Sequence, residues 1–390
     1  MTNISLFSQV VKLLPRDKFT SLVHKYKSDK HSKGINSWTH LVSMLFCHLG
    51  KADSVRDISN GLLSITGNIF HLGVKRAPSK SSLSYINCHR TADLFRDFYF
   101  ILLEHFQSQH NFERQALKKL KRKIYLLDAT VLPLCLSMFD WAKFRKAKGG
   151  AKLHLLLDYD GCLPVFADLT QARVHEVNVA RKLTFPKGSV VVYDMGYQDF
   201  VWMRDLDSKG IFFVTRLKDN ICYVVENSFE INKNYEGIIL EDSNILLEHE
   251  TTSAKYPDAL RLVSFWDSTN KREFKFLTNN MDWSPKTIAD IYKQRWSIES
   301  FFKDLKQQLE IKSFIGTSEN AVKIQVWTAL ISMLILKFLK QKAKYKWHLS
   351  NLVSHIRHNL FVKIELFAWL DKPFYNRNEV ISAQIDLFSG

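Results

Sequence analysis

Two short runs constrain the fold of this chain more than any other feature. Ile124-Tyr125-Leu126-Leu127 ends in Asp128, and Val190-Val191-Val192-Tyr193 ends in Asp194. Each is apolar on both faces of an extended chain. Such segments read as strands buried on both sides, the kind found in parallel or mixed sheets covered by helices. A strand of that kind can place a charge only at its end, where the loop opens. The surrounding segments suit the same layer. Residues 152–158 and 163–169 flank Gly161 as a hairpin. Residues 174–183 and 200–206 read as helices, and 211–216 as a further strand. The order β, β-β, α, β, α, β predicts an α/β fold.

The regions on either side read differently. Through residue 110, apolar residues recur at three- and four-residue steps, as in Phe7, Val10, Val11, Leu14 and again Leu41, Met44, Leu45, Leu49. Ser54 is a candidate N-cap, and a second helix starts after Pro78. That helix, residues 79–90, has one polar, small and basic face. Two short helices joined by a loop suit a helix-turn-helix reader of DNA, with Lys80 and Arg90 as its candidate contacts. Residues 218–272 alternate with Asn, Glu and Tyr and read as a β-rich insertion. Residues 274–279 read as a strand, and one long helix is expected over 285–309. The most apolar stretch, 324–339, contains Gln325 and Lys337 and is shorter than the roughly 20 residues of a membrane span, so a buried core helix is expected and no membrane association. The expected division is 1–113 as a helical DNA-binding domain, 114–217 as the first part of an α/β core, 218–272 as the insertion, 273–340 as the second part of the core, and 341–390 as a C-terminal helical region.

Charge points to the partner. Lys and Arg number 55 against 39 Asp and Glu, a net charge of +16. With 46% hydrophobic residues the chain is not disordered. A basic, well-packed protein favours a polyanion, and nucleic acid is the commonest. Two basic stretches are candidate phosphate tracks. One is 118–123. The other lies between Trp141 and Leu157, where Lys143, Arg145, Lys146, Lys148 and Lys152 occur without an acid and Gly149-Gly150 would admit a close phosphate. The five cysteines, Cys47, Cys88, Cys135, Cys162 and Cys222, are scattered with no C-x-x-C pair, so neither a disulfide framework nor a zinc finger is expected, and reduced thiols in a cytosolic setting are. The first residues show no basic stretch leading into an apolar one, so no signal peptide is expected.

If the strands ending in Asp128 and Asp194 are neighbours, two carboxylates face one another at one sheet edge. A divalent cation between them relieves the repulsion. Either aspartate alone more often caps a turn. The helix around Glu299 supplies a third group. At about 100° per residue, Tyr292, Arg295, Glu299 and Lys306 fall within an arc of about 60°, beside an apolar face of Ile298, Phe301, Phe302, Leu305 and Leu309. An acid among cations suits a metal site that also holds phosphates. The plainer alternative is an ordinary amphipathic helix in which Arg295 pairs with Glu299 four residues on. His175-Glu176 either supports such a site or simply opens a helix.

Tyr292, Arg295, Glu299 and Lys306, spaced Y-x2-R-x3-E-x6-K, resemble the signature of the DDE transposases of bacterial insertion sequences, in the subgroup called the insertion sequence 4 family. Asp128 in Asp-Ala-Thr and Asp194 in Asp-Met-Gly-Tyr resemble that family's two aspartates, 66 residues apart, with Glu299 a further 105 on. The second gap is long, as in members with a β-rich insertion before the glutamate helix. The resemblance implies an RNase H-like catalytic core with a β-rich insertion, preceded by an all-helical N-terminal DNA-binding domain. It implies two Mg²⁺ ions, for which Mn²⁺ can substitute, held by Asp128, Asp194 and Glu299, with Tyr292, Arg295 and Lys306 gripping phosphates. It further implies cleavage of the element's terminal inverted repeats and their joining to target DNA, by a homodimer on DNA, in the bacterial cytoplasm on the nucleoid. Trp266 and Trp283 are candidates for the base-stacking role of some relatives, with core packing as the alternative. A non-catalytic DNA-binding protein derived from a transposase, or an RNase H-like nuclease that only hydrolyses, are the rival readings.

Overall fold

The computed structural model describes residues 3–30, 32, 34–65, 69–109, 112, 117, 120–134, 143–145, 148–309, 311 and 313–374. The chain divides into a helical unit, Met1–Phe112 with Asp304–Gly390, and a sheet unit, Glu113–Lys303.

Among the described residues the chain opens with helices α1 (Leu6–Lys12), α2 (Arg16–Tyr26), α3 (Ser37–Gly50), α4 (Val55–Leu63), α5 (Lys80–His89) and α6 (Asp93–Gln109). The middle runs β1 (Ile124–Leu134), β2 (Lys143–Arg145), β3 (Lys148–Asp158), β4 (Leu163–Gln171), α7 (Glu176–Ala180), β5 (Val190–Tyr193), α8 (Phe200–Ser208) and β6 (Phe212–Arg216). It continues as β7 (Tyr223–Ser228), β8 (Ile239–Leu247), α9 (Glu250–Ser253), β9 (Leu260–Asp267), β10 (Arg272–Thr278), α10 (Pro285–Lys293) and α11 (Trp296–Gln308). Then come α12 (Glu319–Lys342), α13 (Leu349–Asn359) and α14 (Leu366–Asp371).

The helical unit is built around α12. Its N-cap Ser318 accepts from the Ala321 N–H, and the helix is buried on nearly every face, including Gln325, Thr328 and Ser332. Length and composition would let it cross a membrane, yet 89% of its apolar window is covered by the rest of the protein. A helix apolar all round must find neighbours on every side. It finds them in α3, α5, α6 and α13, with Phe106 stacked on Phe338 at 4.1 Å. This packing explains a departure from the expected division. Residues 304–340, expected with the α/β core, belong with the N-terminal helices.

The sheet unit holds one mixed sheet in the order β4-β3-β1-β5-β6-β10-β9-β8-β7, with β2 also paired to β3. The β1–β5 and β5–β6 pairs are parallel, and the other pairs are antiparallel. All four β5 residues are fully buried, each Val contributing about 1.5–3 kcal/mol by leaving water. The β3–β4 hairpin turns at Gly161, whose φ of 79° is a conformation glycine adopts without a Cβ clash. The stretch between Trp141 and Leu157, a candidate phosphate track, contributes strands β2 and β3, so the hairpin arm expected over 152–158 begins earlier, at Lys148. The insertion over 218–272 is β-rich as expected, but its strands continue the main sheet through β10 rather than standing apart. A buried ion pair fixes it. Arg261 holds both oxygens of Asp242 at 2.8 Å and donates to the Met281 and Trp283 carbonyls ahead of α10.

The helix expected over 285–309 is two helices. The Gln294 and Arg295 N–H groups reach back only three residues, to Ile291 and Tyr292, so the chain breaks between α10 and α11. The helix expected over 174–183 shortens to α7.

Candidate active site

Sheet register brings the two aspartates together. Leu127 pairs with Tyr193 across the parallel β1–β5 ladder, so Asp128 and Asp194 follow at the same level of adjacent strands. Asp128 stays within β1, and one of its oxygens accepts from the Ala129 N–H at 2.7 Å. Asp194 ends its strand and leads into a single 3₁₀ turn over Met195–Tyr197.

The break between α10 and α11 delivers the other two groups. Arg295, only 8% exposed, donates from one nitrogen to Asp128 Oδ2 at 3.2 Å and from the other to Glu299 Oε1 at 2.6 Å. Tyr292 lies under the break against the Phe276 ring at 4.7 Å, and its hydroxyl donates to Asp194 Oδ1 at 3.4 Å. Arg295 therefore ties Asp128 to Glu299, while Asp194 is held separately by Tyr292. The side chain of Glu299 remains 53% exposed.

The electrostatics show how crowded the site is. Burial pushes the Asp128 carboxyl up to about 6; Arg295 and the Ala129 N–H oppose that, while Asp194 and Glu299 add to it. Burial likewise pushes the Tyr292 hydroxyl up to about 12, which keeps it a donor to Asp194. Burial works against the charge on Arg295, but Tyr292, Asp128, Glu299 and Asp194 together raise it above its ordinary value. Among the described residues no three His, Cys, Asp or Glu side chains are gathered at cation-binding distance. The nearby acids are all hard oxygen donors, which suit a divalent cation of the Mg²⁺ type rather than zinc.

The structure treats the remaining candidates unequally. Arg295 is not held out toward a ligand; the plainer pairing with Glu299 holds, with Asp128 added. Lys306 is half-buried and falls in the part of α11 that belongs to the helical unit. Glu176 is committed to Lys152 at 2.7 Å, and Lys152 is buried rather than lining a phosphate track. Burial opposes the charge on Glu176, but the Lys152 ammonium holds it below its ordinary value. The side chains of Lys143, Arg145, Lys146 and Lys148, and residues 118 and 119 of the other basic run, lie outside the described residues.

Arg90 is a correction. Its side chain is 4% exposed. One nitrogen donates to Asp29 Oδ1 at 3.1 Å and to the Ile35 carbonyl at 2.9 Å. The reason is local. Arg90 is the C-cap of α5 with extended dihedrals, so it leaves the helix and its side chain turns inward. The exposed stripe of α5 is instead Lys80, Ser81, Ser84, Tyr85, Cys88 and His89, with the Tyr85 and His89 rings stacked at 4.1 Å.

Sequence reasoning missed a cleft of about 420 Å³ that reaches Tyr292 and Arg295. It is lined also by Trp266 and Trp296, 39% and 43% exposed, and by Arg216 and Arg272. Trp296 directly follows Arg295, and that adjacency was the available signal. Trp283 instead packs 5.3 Å from Phe212.

Residues 119–335 match the family model described as the transposase DDE domain, and residues 2–75 match a domain of unknown function (DUF4372). A protein of Sinorhizobium fredii named as a transposase, y4zB, is 30% identical over 264 residues, which is 67% of this chain and 71% of that protein. A protein of Geobacillus stearothermophilus named as the transposase for insertion sequence element IS5377 is 29% identical over 247 residues, 63% of this chain and 64% of that protein. Among solved structures, the piggyBac transposase synaptic complex with hairpin DNA is similar at a TM-score of 0.46 and 12% identity, over 98% of this chain and 85% of that one. The chain belongs to the DDE transposases of insertion sequences, metal-dependent enzymes that cut and join DNA.

Proposed function

We propose that Asp128, Asp194 and Glu299 are the catalytic carboxylates, and that they hold divalent cations, two Mg²⁺ ions with Mn²⁺ as a substitute. The observation that carries this reading is the convergence on one site. Asp128 and Glu299 share Arg295, and Asp194 and Glu299 both push the Asp128 carboxyl up. Three acids around one guanidinium leave an excess of negative charge that a hard cation balances. Bound there, the metal would offset the charge that develops on a phosphodiester and ease deprotonation of an attacking water or 3′-hydroxyl. Tyr292 supports the site by fixing the Asp194 carboxylate through a hydroxyl that stays protonated.

The rest of the reading follows the same lines. The run β4-β3-β1-β5-β6, antiparallel on one side of β1 and parallel on the other, supports an RNase H-like core. The spacing Tyr292, Arg295, Glu299, Lys306 supports the insertion sequence 4 subgroup, with Tyr292 and Lys306 acting on DNA. The exposed face of α5, with Lys80, is assigned to the element's terminal repeats, and Trp266 to an unstacked base in the cleft beside the carboxylates. The enzyme then works as a homodimer on DNA, on the bacterial nucleoid in the cytoplasm.

The test is cleavage and strand transfer on DNA carrying the repeats that bound its own gene. Asp128→Asn, Asp194→Asn and Glu299→Gln each remove a ligand charge and keep the side-chain shape. Each should abolish cutting and joining while the protein still binds the ends. A variant that cuts near the wild-type rate removes that residue from the site, and a wild type that cuts without joining is a nuclease.

A further inference from the structure

Arg295 occupies the place where the carboxylate site most needs positive charge. One of its terminal nitrogens is engaged by Asp128 Oδ2 and the other by Glu299 Oε1. It is buried, whereas the Glu299 side chain is half in solvent. Among the described residues its Nε has no hydrogen-bond partner, its terminal nitrogens are held by the two carboxylates, and its guanidinium lies over the Tyr292 ring at 5.5 Å. It also stands in the two-residue break between α10 and α11, outside either helix.

Geometry makes Arg295 and a metal rivals. A divalent cation binds carboxylate oxygens at roughly 2.0–2.6 Å. A guanidinium bridging the same oxygens at 3.2 and 2.6 Å keeps them farther apart than a shared cation would. That spacing agrees with the finding that no three acidic or imidazole groups are gathered at cation-binding distance among the described residues.

We propose that Arg295 is an internal counter-cation. It neutralises Asp128 and Glu299 while no divalent cation is bound, and a divalent cation must displace it from them. The inference rests on the assignment of Asp128 and Glu299 as cation ligands. The displaced guanidinium is a planar, fixed-charge donor released beside the reacting centre. Its natural new partner is a phosphodiester, so metal entry and phosphate capture become one exchange of partners. Arg295 is on this account a positioning residue with two successive anions, not a permanent phosphate clamp.

The experiment measures Ca²⁺ binding to the full chain without DNA, by calorimetry and by the Ca²⁺-dependent shift in melting temperature, so activity is not the readout. Arg295→Gln removes the rival charge, and affinity for Ca²⁺ should rise on the order of tenfold. The same variant should melt below wild type without Ca²⁺ and recover with it, because the ion takes over the role of the guanidinium. Arg295→Lys, a point charge that cannot bridge two carboxylates, should bind Ca²⁺ more tightly than wild type by a smaller factor. It also serves if the Gln variant does not fold. Unchanged or weaker Ca²⁺ binding in the folded Arg295 variants overturns the proposal and makes Arg295 a scaffold. Glu299→Gln separates the two readings. Loss of Ca²⁺ binding there supports the ligand assignment whatever Arg295 does, and wild-type binding there overturns both.

Discussion

Arg90 and Arg295 sit in different units and look alike from the sequence, each a basic residue on a helix expected to meet DNA. Both are buried, and both are paired with acids. What differs is the company. Arg90 divides its hydrogen bonds between Asp29 and the backbone carbonyls of Ser28 and Ile35, and Asp29 in turn accepts from the Ser37 N–H and hydroxyl. These bonds fix the loop between α2 and α3, while the other terminal nitrogen of Arg90 has no hydrogen-bond partner among the described residues. Arg295 bonds through its terminal nitrogens to two carboxylates on separate elements, one of them half-exposed. Burial of an arginine therefore says little about its role. The identity of the acceptors says more, because backbone carbonyls cannot be traded for another ligand and carboxylates can.

The sharpest break between the two regions is chemical. Glu299→Gln should lower cleavage by about three orders of magnitude, the several kcal/mol that metal-assisted charge stabilisation supplies, with the melting temperature little changed. A matching loss of stability would mean that the Arg295 network is structural like that of Arg90. Next in size, Arg90→Ala should destabilise the chain by about 1–3 kcal/mol, because it removes a buried side chain that joins Asp29 to the Ser28 and Ile35 carbonyls. Urea unfolding measures it, and a loss under 0.5 kcal/mol would return Arg90 to the surface residues.

Acid should act on the helical unit's own buried groups. Burial pushes His40 down to about 3 and His48 to about 4. Their ordinary value is 6.5, so the unfolded chain takes up protons that the folded one refuses. Their contribution is intact above pH 6.5 and is lost as the pH falls below it, roughly 1 kcal/mol for each between pH 7 and 5.5. Melting across that range checks the sign, and a flat profile would contradict the burial. The smallest effect is expected at Lys80. Lys80→Ala should leave stability within about 0.5 kcal/mol. It should weaken DNA binding by about 1 kcal/mol, uniformly across sequences and with a shallower salt dependence if Lys80 touches phosphate.

The legible parts of the sequence were those where one local rule decides. Asp194 could be read because a strand buried on both faces has no other place for a charge; Asp128, expected at a strand end, instead lies inside β1, which runs on to Leu134, and the Leu127–Tyr193 register puts the two side by side. The Ser54 cap could be read because both bonds of its hydroxyl are local: it accepts from the Asp57 N–H at 3.1 Å and donates to the Asp57 carboxylate at 2.8 Å. The break at Gln294 and Arg295 could not. Both are good helix formers with no Gly or Pro beside them, and what interrupts the ladder is long-range, Tyr292 lodged on Phe276 and Arg295 drawn to Asp128 on a distant strand. Arg90 was misread because helical periodicity was carried one residue past the helix end. The allegiance of 304–340 was hidden for a similar reason. A helix buried all round announces that it needs neighbours, but not which ones.

The placement of α12 also sets a timetable. The helical unit is written in two pieces with the whole sheet unit between them, so α3 and α6 leave the ribosome with apolar faces that α12 will cover only some 200 residues later. At about 5–20 residues per second that is a wait of roughly 10–40 s. During it the first helices are an unfinished surface open to chaperones or to another nascent chain. A fragment ending near residue 113 would stay permanently in that state. The packing of the N-terminal helices is thus deferred until α12, which follows Glu299 in the chain, has been made, and a truncated product would lack the helix that covers them.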